Sequence, residues 1–573
     1  MDNQAIASVF EEMARLLEFK GENPFRIRAY VNGAQAIRQL EEPVAAILKD
    51  PQRDLAKIPG IGKTLVEKTK VLVETGGLPQ LETLREEISP VILAMSRIPG
   101  LGAKKAVRLR EELGIESLDD LRAACQDGRV AKLKGFGPKS QEGILEGLSI
   151  AEQAAKRMRY AGADRLVDTL DQHMRSCPAV KRLEFAGSYR RGRETVGDLD
   201  LLVVAEDHAA VMDHFEAFPQ RSQTIMRGDT KISIRVDAAF QVDLRVVAAN
   251  QFGAALQYFT GSQAHNIQVR KLAIAKGLKV NEYGVFPDGS EDSITGGDEA
   301  EVYEAIGLPW IPPELREHRD EFKWAEKKTL PKLVELDDIV GDMHMHTDAT
   351  DGQNTLEEMI EAAIDRGLQY IAITDHSQRV SMAGGLDAAR ASAQWKKIAK
   401  LRDRYAGQIQ VLTGIECDIL EAGGMDLPDD VLAMADWVLG SIHYGQKQSR
   451  EKITERILGA IENPHVDCIA HPTGRLINRR PSYEVDMHAV MDAAKAHKTF
   501  LELNANPARL DLNDEHLAMA RKRGIPIVIS TDAHSIANMD LLRYGIVQAR
   551  RGGLTAAQIA NTHAWSDWPS LWK

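Results

Sequence analysis

The chain has only four cysteines in 573 residues, Cys125, Cys177, Cys417 and Cys468, and no two form a CxxC pair. That scarcity excludes a disulfide scaffold or a zinc ribbon and fits a reducing, cytoplasmic setting. Long hydrophobic runs are also missing, so no stretch approaches a membrane span. The N-terminus lacks the basic-then-apolar pattern of a signal peptide. Instead Ile6, Val9, Phe10, Met13, Leu16 and Leu17 recur at helical spacing, an amphipathic helix. Basic charge is not in excess either: 72 Lys and Arg stand against 84 Asp and Glu, a formal charge of −12. Phosphate binders usually carry a basic footprint, but helix termini and bound metal ions also hold phosphate. The charge balance therefore decides nothing about nucleic acid. What remains is the composition of a soluble globular protein, 44% hydrophobic and 27% charged. Its length calls for about three to five units of ~100–200 residues.

Residues 1–155 are rich in helix formers and are interrupted by three Gly-containing turns, IPGIGK from Ile58, IPGLGAK from Ile98 and KGFGPK from Lys134. Each lies between apolar-periodic segments, a repeated helix–turn–helix unit. From about Leu183 the period changes to β-type in LEFAGS, DLDLLVVA, KISIRV and FQVDLRVV, and a helical stretch resumes at Phe252. Residues 319–337 fall in a stretch dense in proline and charge and read as an interdomain linker. After Asp338, short β-branched runs (IVGDM, YIAIT, VLTGI, WVLGS, DCIA, TFLEL, PIVIS) alternate with helical segments. That rhythm predicts a βα-repeat barrel of about seven strands.

A GxG turn entering a helix presents backbone N–H groups and the positive end of the helix dipole, which hold a phosphate or a bridging cation. A lone copy is as readily a C-cap with a tight turn. Here the glycine pairs Gly60 and Gly62, Gly100 and Gly102, and Gly135 and Gly137 recur, each with a lysine close behind. The repetition favours sequence-independent DNA binding through phosphates, and the set resembles the helix–hairpin–helix modules of repair enzymes.

In DLDLLVVA, Asp198 and Asp200 are two residues apart and project from one face of a strand. FQVDLRVV supplies Asp243 on a candidate neighbouring strand. Three carboxylates at one site can hold two divalent ions about 4 Å apart, the arrangement of two-metal phosphoryl transfer. A lone DxD is usually a solvated face, but here GS, RRG and GDLD follow one another from Gly187. That order is the signature of the nucleotidyltransferase superfamily, which also contains enzymes acting on RNA and on small molecules. By that resemblance the Gly187–Ser188 turn cradles a triphosphate and Arg191 pairs with it.

YFTGSQAHNIQVR, from Tyr258 to Arg270, followed by AIAKGLKVNEYGVF, closely resembles the thumb of family X DNA polymerases. The resemblance places Tyr258 and Phe259 against the nucleotide sugar, Asn266 at the minor-groove edge of the incoming base, and Arg270 on the template strand. NPFRIRAYVNGAQAI and LAKIPGIGKTLVEKTK resemble the lyase domain of vertebrate DNA polymerase beta. There Lys68 falls at the Schiff-base position. Arg26 stands where that relative has a phosphate-binding lysine, which keeps the charge but changes the geometry.

In DMHMHTDATDG, His344 and His346 can point one way from a strand end, and Asp351 follows on the loop. His376, Glu416, His443, His471, Asp532 and His534 lie at or just after successive candidate strands. Strand C-termini of a βα barrel converge on one face, where such ligands suit two or three transition-metal ions. The set resembles the PHP (polymerase and histidinol phosphatase) domain, with Thr350 where a serine is common. The resemblance implies a 3′→5′ exonuclease, with abasic-site cleavage as a further possibility and histidinol-phosphate hydrolysis as the alternative within the family.

The expectation is a multidomain protein. Residues 1–90 would form a lyase-like helical domain, 91–155 helical fingers, 156–250 an α/β nucleotidyltransferase palm and 251–318 a thumb. Residues 338–573 would form a distorted (β/α)7 barrel. Expected cofactors are Mg²⁺ or Mn²⁺ in the palm and two or three of Zn²⁺, Mn²⁺ or Fe²⁺ in the barrel. Expected partners are gapped or nicked DNA and deoxynucleoside triphosphates, bound by a monomer with no membrane association.

Overall fold

A computed structural model describes residues 3–571 apart from 20–21, 39, 41–43, 50–52, 59, 76, 82–83, 85–90, 93–94, 96–100, 102, 139, 146–147, 149–156, 237–239, 479 and 481. Contacts divide it into two compact units, Met1–Lys156 and Arg157–Lys573.

The first unit is helical. Asn3–Phe19 forms the amphipathic helix predicted from its spacing, and Ile6, Phe10, Met13, Leu16 and Leu17 are buried. Its Phe10 meets Tyr30 of the next helix, Pro24–Arg38, edge to face with centroids 5.9 Å apart. Helix Lys63–Thr75 begins directly after Gly62. Helix Leu118–Gln126 is capped by Ser117, whose hydroxyl accepts from the Asp120 N–H at 3.0 Å.

The second unit opens with a palm. A short antiparallel pair, β1 (Met158–Arg159) and β3 (Thr195–Val196), flanks a five-stranded sheet. Its strands are β2 (Val180–Phe185), β4 (Asp198–Ala205), β5 (Arg221–Arg227), β6 (Lys231–Val236) and β7 (Phe240–Val247), in the order β2-β4-β7-β6-β5. Only β4 and β7 pair in parallel. Period-two alternation sends Leu199, Leu201 and Val203 into a core shared with Leu170, Met174, Val211 and Phe215 from the covering helices. The opposite face carries Asp198 and Asp200 at one end, while Leu202 packs against Phe252, Ala255 and Leu256. Helix Phe252–Thr260, to which those residues belong, opens the thumb. The thumb continues with helix Gln263–Ile274, hairpin β8 (Leu278–Asn281)–β9 (Gly284–Pro287) and helix Glu299–Ala305.

The segment read as a linker is not an open connection. It carries helix Glu321–Glu326, and Phe322, Ala325 and Leu333 join the thumb core while Val334 joins the barrel core. Its first three charged residues are paired, Arg319 with Asp514 at 2.8 Å, Asp320 with Arg521 at 2.6 Å and Glu321 with His265 at 3.0 Å, which ties the start of a charge-dense segment to the barrel and the thumb.

Seven strands follow in chain order: β10 (Gly341–Asp342), β11 (Tyr370–Ile373), β12 (Gln410–Asp418), β13 (Trp437–Ser441), β14 (Cys468–Ile469), β15 (Phe500–Asn504) and β16 (Ile527–Ser530). Every neighbouring pair is parallel, as helical crossovers require. Beyond the two end strands, a parallel bridge between Met345 and Ala533 closes the ring, with the His346 N–H donating to the Ala533 carbonyl at 2.8 Å. Ala372, Leu412, Leu439 and Val528 cluster with Trp437, Phe500 and the C-terminal Trp568, so the floor of the barrel is packed. The last barrel helix, Leu542–Arg551, also faces the palm, where Tyr544 meets Tyr160 with centroids 6.1 Å apart. Among the described residues no helix is long and apolar enough to cross a membrane.

Candidate active sites

The β4–β7 register sets Asp200 opposite Asp243 and Asp198 opposite Gln241, so the three carboxylates expected to work together meet on one face. Burial, helped by the charges of Asp198 and Asp243, pushes the Asp200 carboxyl up to about 7. Burial and the Asp243 charge also raise Asp198. Burial alone would raise Asp243 too, but hydrogen bonds from Lys231, Ser233 and Gln241 outweigh it and its pKa falls. Lys231 Nζ stands 2.7 Å from Asp243 Oδ2, and Gln241 Nε2 donates to Oδ1 at 2.8 Å. Carboxylates crowded so that they resist ionising together suit divalent cations that would relieve the repulsion.

A one-turn helix, Gly187–Arg190, leaves the end of β2 beside this cluster. Gly187 has φ +66°, and a Cβ there would stand 2.5 Å from Asp200 Oδ2. Next to it the Ser188 hydroxyl is buried without a hydrogen-bond partner. Together they border a cavity of ≈ 640 Å³. Its wall includes Gly187, Ser188, Arg191, Asp198, Asp200, Tyr258, Phe259, Asn266 and Arg270. Of the expected palm and thumb residues only Asp243 is outside that wall, one strand away behind Asp200.

The thumb residues are held by their own helices. Asn266 Nδ2 donates to the Tyr258 carbonyl at 2.7 Å and its Oδ1 accepts from Gln257 Nε2 at 2.9 Å. The guanidinium of Arg245 lies 4.5 Å from the Phe259 ring centre. Arg191 has internal partners as well as a place in the wall: Nε donates to Glu317 Oε1 at 3.0 Å and Nη1 donates to the Thr260 carbonyl. Sequence reasoning missed Arg157, Arg193 and Gln263, which line the same cavity. Arg157 lies in the segment preceding β1 and carries no motif, whereas Arg193 directly follows the RRG run and was available to be read.

In the first unit Lys68 is half-buried and its amine donates to Gln80. Burial, with the positive charge of Arg26, lowers its pKa, the direction a nucleophilic amine requires. Arg26 is exposed and pairs with Glu22 at 3.2 Å. Gly60 and Gly135 take positive φ in their turns. At Gly62 and Gly137 an added Cβ would meet nothing within 4 Å, leaving the backbone open to an approaching group. Gly100 and Gly102 lie outside the described residues.

The barrel brings all nine expected ligands to its open end. Glu416 on β12 is the hub: Oε2 is 2.7 Å from His376 Nδ1, 3.5 Å from His344 Nε2 and 3.7 Å from His346 Nε2, while Oε1 is 3.0 Å from His471 and 3.5 Å from His443. Asp532 Oδ1 lies 3.3 Å from His346 and 3.6 Å from His344, and Asp351 lies 3.4 Å from His534 and 3.6 Å from His376. Among the described residues three groups have ligand atoms mutually close enough for one ion: His346, Asp351, His376 and His534; His344, His346 and Glu416; His376, Glu416 and His443. His344 Nε2, both ring nitrogens of His346, His376 Nδ1 and Glu416 Oε2 are buried without a hydrogen bond. Lone pairs left empty in a dry interior are costly, and several converging on one volume fit metal ligation. His471 and Asp532 both take positive φ, strained conformations for non-glycine residues at the strand ends.

Around the ligands stand residues that sequence reasoning missed. Glu502, inside β15, places Oε1 2.7 Å from His344 Nδ1 and accepts from the His471 N–H through Oε2 at 2.6 Å. Asp418, two residues beyond Glu416, lies 3.0 Å from His443 Nδ1. Such carboxylates fix the tautomer and direction of a ligating imidazole. Asp375 accepts from the hydroxyls of Thr347 and Thr350, at 2.9 and 2.8 Å, and so holds the loop that carries Asp351. An acid interrupting the apolar run TFLEL was the available signal for Glu502.

Family models match along the chain: a helix-hairpin-helix domain over residues 1–78, a SAM-like helix-hairpin-helix tandem over 92–149, a DNA polymerase beta palm over 157–235, a DNA polymerase beta thumb over 255–317 and a PHP domain over 342–506. The DNA polymerase/3′-5′ exonuclease PolX of Bacillus subtilis (strain 168) is 38% identical over 569 residues, 99% of this chain and 98% of that protein. DNA polymerase lambda of Rattus norvegicus is 25% identical over 344 residues, 55% of this chain and 56% of its own. A probable phosphatase of Thermoanaerobacter sp. (strain X514) is 28% identical over 235 residues, 39% of this chain and 91% of its own. With a polymerase palm and thumb followed by a metal-ligand barrel, and a relative matched over nearly its whole length, the chain belongs to the family X DNA polymerases that carry a C-terminal PHP domain.

Proposed function

We propose that the protein is a gap-filling DNA repair polymerase with a separate 3′→5′ exonuclease in its barrel. The observation that carries the reading is the single cavity in which Asp198 and Asp200 face Gly187, Ser188, Arg191 and the thumb residues Tyr258, Phe259, Asn266 and Arg270. In this reading Asp198, Asp200 and Asp243 hold Mg²⁺ or Mn²⁺, hard cations suited to oxygen ligands. His344, His346, Asp351, His376, Glu416, His443, His471, Asp532 and His534 hold two or three of Zn²⁺, Mn²⁺ or Fe²⁺, which suit imidazole. When bound, these ions supply charge neutralisation and an activated oxygen nucleophile at each site. Ser188 and Arg191 receive the triphosphate, Tyr258 and Phe259 flank the sugar, and Asn266 meets the base. Arg270 faces the template.

The helical turns at Gly60, Gly62, Gly100, Gly102, Gly135 and Gly137 would grip the phosphates of gapped DNA. Domain limits near 90, 155, 250, 318 and 337 follow from the same reading, as does a monomer acting in the cytoplasm. A labelled one-nucleotide gap incubated with Mg²⁺ or Mn²⁺, with and without deoxynucleoside triphosphates, tests it. Templated addition with nucleotides and 3′ shortening without them are expected. A chain that neither extends nor shortens the primer defeats the reading.

The lowered pKa of Lys68 favours an added deoxyribose-phosphate lyase activity, with Arg26 at the 5′-phosphate. Borohydride trapping on an incised abasic site tests it, and a Lys68→Ala chain that traps equally well excludes Lys68.

A further inference from the structure

The turn after the one-turn helix Gly187–Arg190 is seated on the last barrel helix. Gly192 of that turn has no room for a side chain, because a Cβ would overlap Val547 Cγ1 on that helix. One turn further along that helix stands Arg551, only 2% exposed. Its Nη1 donates to the Arg191 carbonyl at 2.6 Å and lies 3.1 Å from Glu317 Oε1. Its Nη2 lies 2.7 Å from Asp514 Oδ2. The same Glu317 Oε1 accepts from Arg191 Nε at 3.0 Å. Charges therefore alternate along Asp514, Arg551, Glu317 and Arg191, from the barrel to the wall of the nucleotide cavity, with Arg319 also on Asp514 at 2.8 Å and Arg193 also on Glu317 at 3.5 Å.

We propose that Arg551 is a positioning residue for the nucleotide site: by holding Glu317 and the Arg191 main chain, it sets the Arg191 guanidinium at the cavity wall. The inference rests on the polymerase reading of that cavity. Glu317 divides its pull among three guanidinium groups, those of Arg551, Arg191 and Arg193. Without Arg551 the cluster loses one positive charge, the Arg191 carbonyl loses its donor, and Glu317 draws more strongly on Arg191 and Arg193. These changes disfavour an anionic ligand, and the pairs that carry them are largely buried, where charges act strongly. A barrel helix then tunes a polymerase site whose own sequence lies more than half the chain away.

The test is calorimetric binding of a deoxynucleoside triphosphate with Mg²⁺ to the full chain, alongside KM and kcat for gap filling. Metal-dependent digestion of a 3′ end reports that each variant is folded. Arg551→Met is expected to weaken triphosphate binding and raise KM about tenfold, with kcat within about threefold of wild type; in a Glu317→Gln background the same substitution should change affinity less than about threefold, since coupled residues are non-additive. A merely structural role predicts equal losses in both backgrounds, or a loss of digestion as well. Should Arg551→Met fail to fold, Arg551→Lys, which keeps the charge but lacks the planar fork that reaches the Arg191 carbonyl, Glu317 and Asp514 together, decides: weakened binding supports the inference and unchanged binding overturns it. A wild-type chain that binds no triphosphate overturns the cavity reading and the inference together. A wild type that binds, with folded variants that bind equally well, overturns the inference alone.

Discussion

Asp200 and Asp243 are direct partners across the parallel ladder of β4 and β7, yet the two carboxyls differ. Asp243 is neutralised by Lys231 at 2.7 Å, whereas Asp200 is hemmed in by Asp198, Asp243 and the glycine backbone at 187. Asp200 is the carboxylate with most to gain from a cation. It is also the one whose loss should cost the palm most.

Asp200→Ala is expected to reduce primer extension by about three orders of magnitude, equivalent to ~4 kcal/mol of barrier, while metal-dependent 3′ digestion persists. His344→Ala should do the reverse. Parallel extension and digestion assays on both variants check this, and one substitution that removed both activities from a folded chain would refute two independent sites.

Gly187→Ala introduces a methyl group 2.5 Å from Asp200 Oδ2 at a backbone with φ +66°. The conformation alone costs a non-glycine residue about 1–2 kcal/mol, and relief requires the carboxylate or the turn to move. Gap filling should fall about 10- to 100-fold in kcat/KM with digestion unchanged. Steady-state kinetics on gapped DNA measures it.

Glu416 belongs to two of the three candidate metal groups, and Glu502 orients His344 from behind. Glu416→Ala should strip metal from the barrel and abolish digestion. Glu502→Gln should keep the ligands but lower metal affinity about 10- to 100-fold, as loss of an orienting carboxylate does. Elemental analysis after dialysis against graded chelator separates the two; equal retention by Glu502→Gln and wild type would deny Glu502 that role.

Glu299 is shared by Arg190 at 2.7 Å, Arg316 at 2.6 Å and the Trp310 indole at 2.7 Å, joining palm to thumb. Burial opposes its charge, but Arg316 and Arg190 outweigh burial and hold the carboxyl far below the usual carboxylate range. A depressed folded-state pKa stabilises the fold above the unfolded value of ~4.3 and loses that contribution as pH falls through the folded value. Glu299→Gln, which leaves the buried Arg316 and the partly buried Arg190 underpaired, should cost about 3–5 kcal/mol at pH 7. The Tm gap to wild type should narrow progressively below about pH 4; a gap independent of pH would deny the ion pairs that role.

Local chemistry alone accounts for much of this protein. Asp198 and Asp200 share a face because side chains alternate along a strand, and the barrel ligands could be located because parallel strands all end on one side. What those local rules could not reach depends on register and on crossing contacts. Glu502 and Asp418 are acids within β15 and β12, and only the closed barrel sets them against His344 and His443. Arg551, Glu317 and Arg191 meet because the palm rests on a barrel helix, a contact no periodicity encodes. The segment from 319 to 337 reads as a linker for the same reason, since Arg319, Asp320 and Glu321 look solvated until Asp514, Arg521 and His265 are in place. The amino-acid sequence by itself determined the chemistry of the two sites, because ligand identity and strand period are properties of short segments. Only the tertiary structure decided how the sites are oriented and joined, because long-range ion pairs and a closed barrel exist only once distant segments have packed.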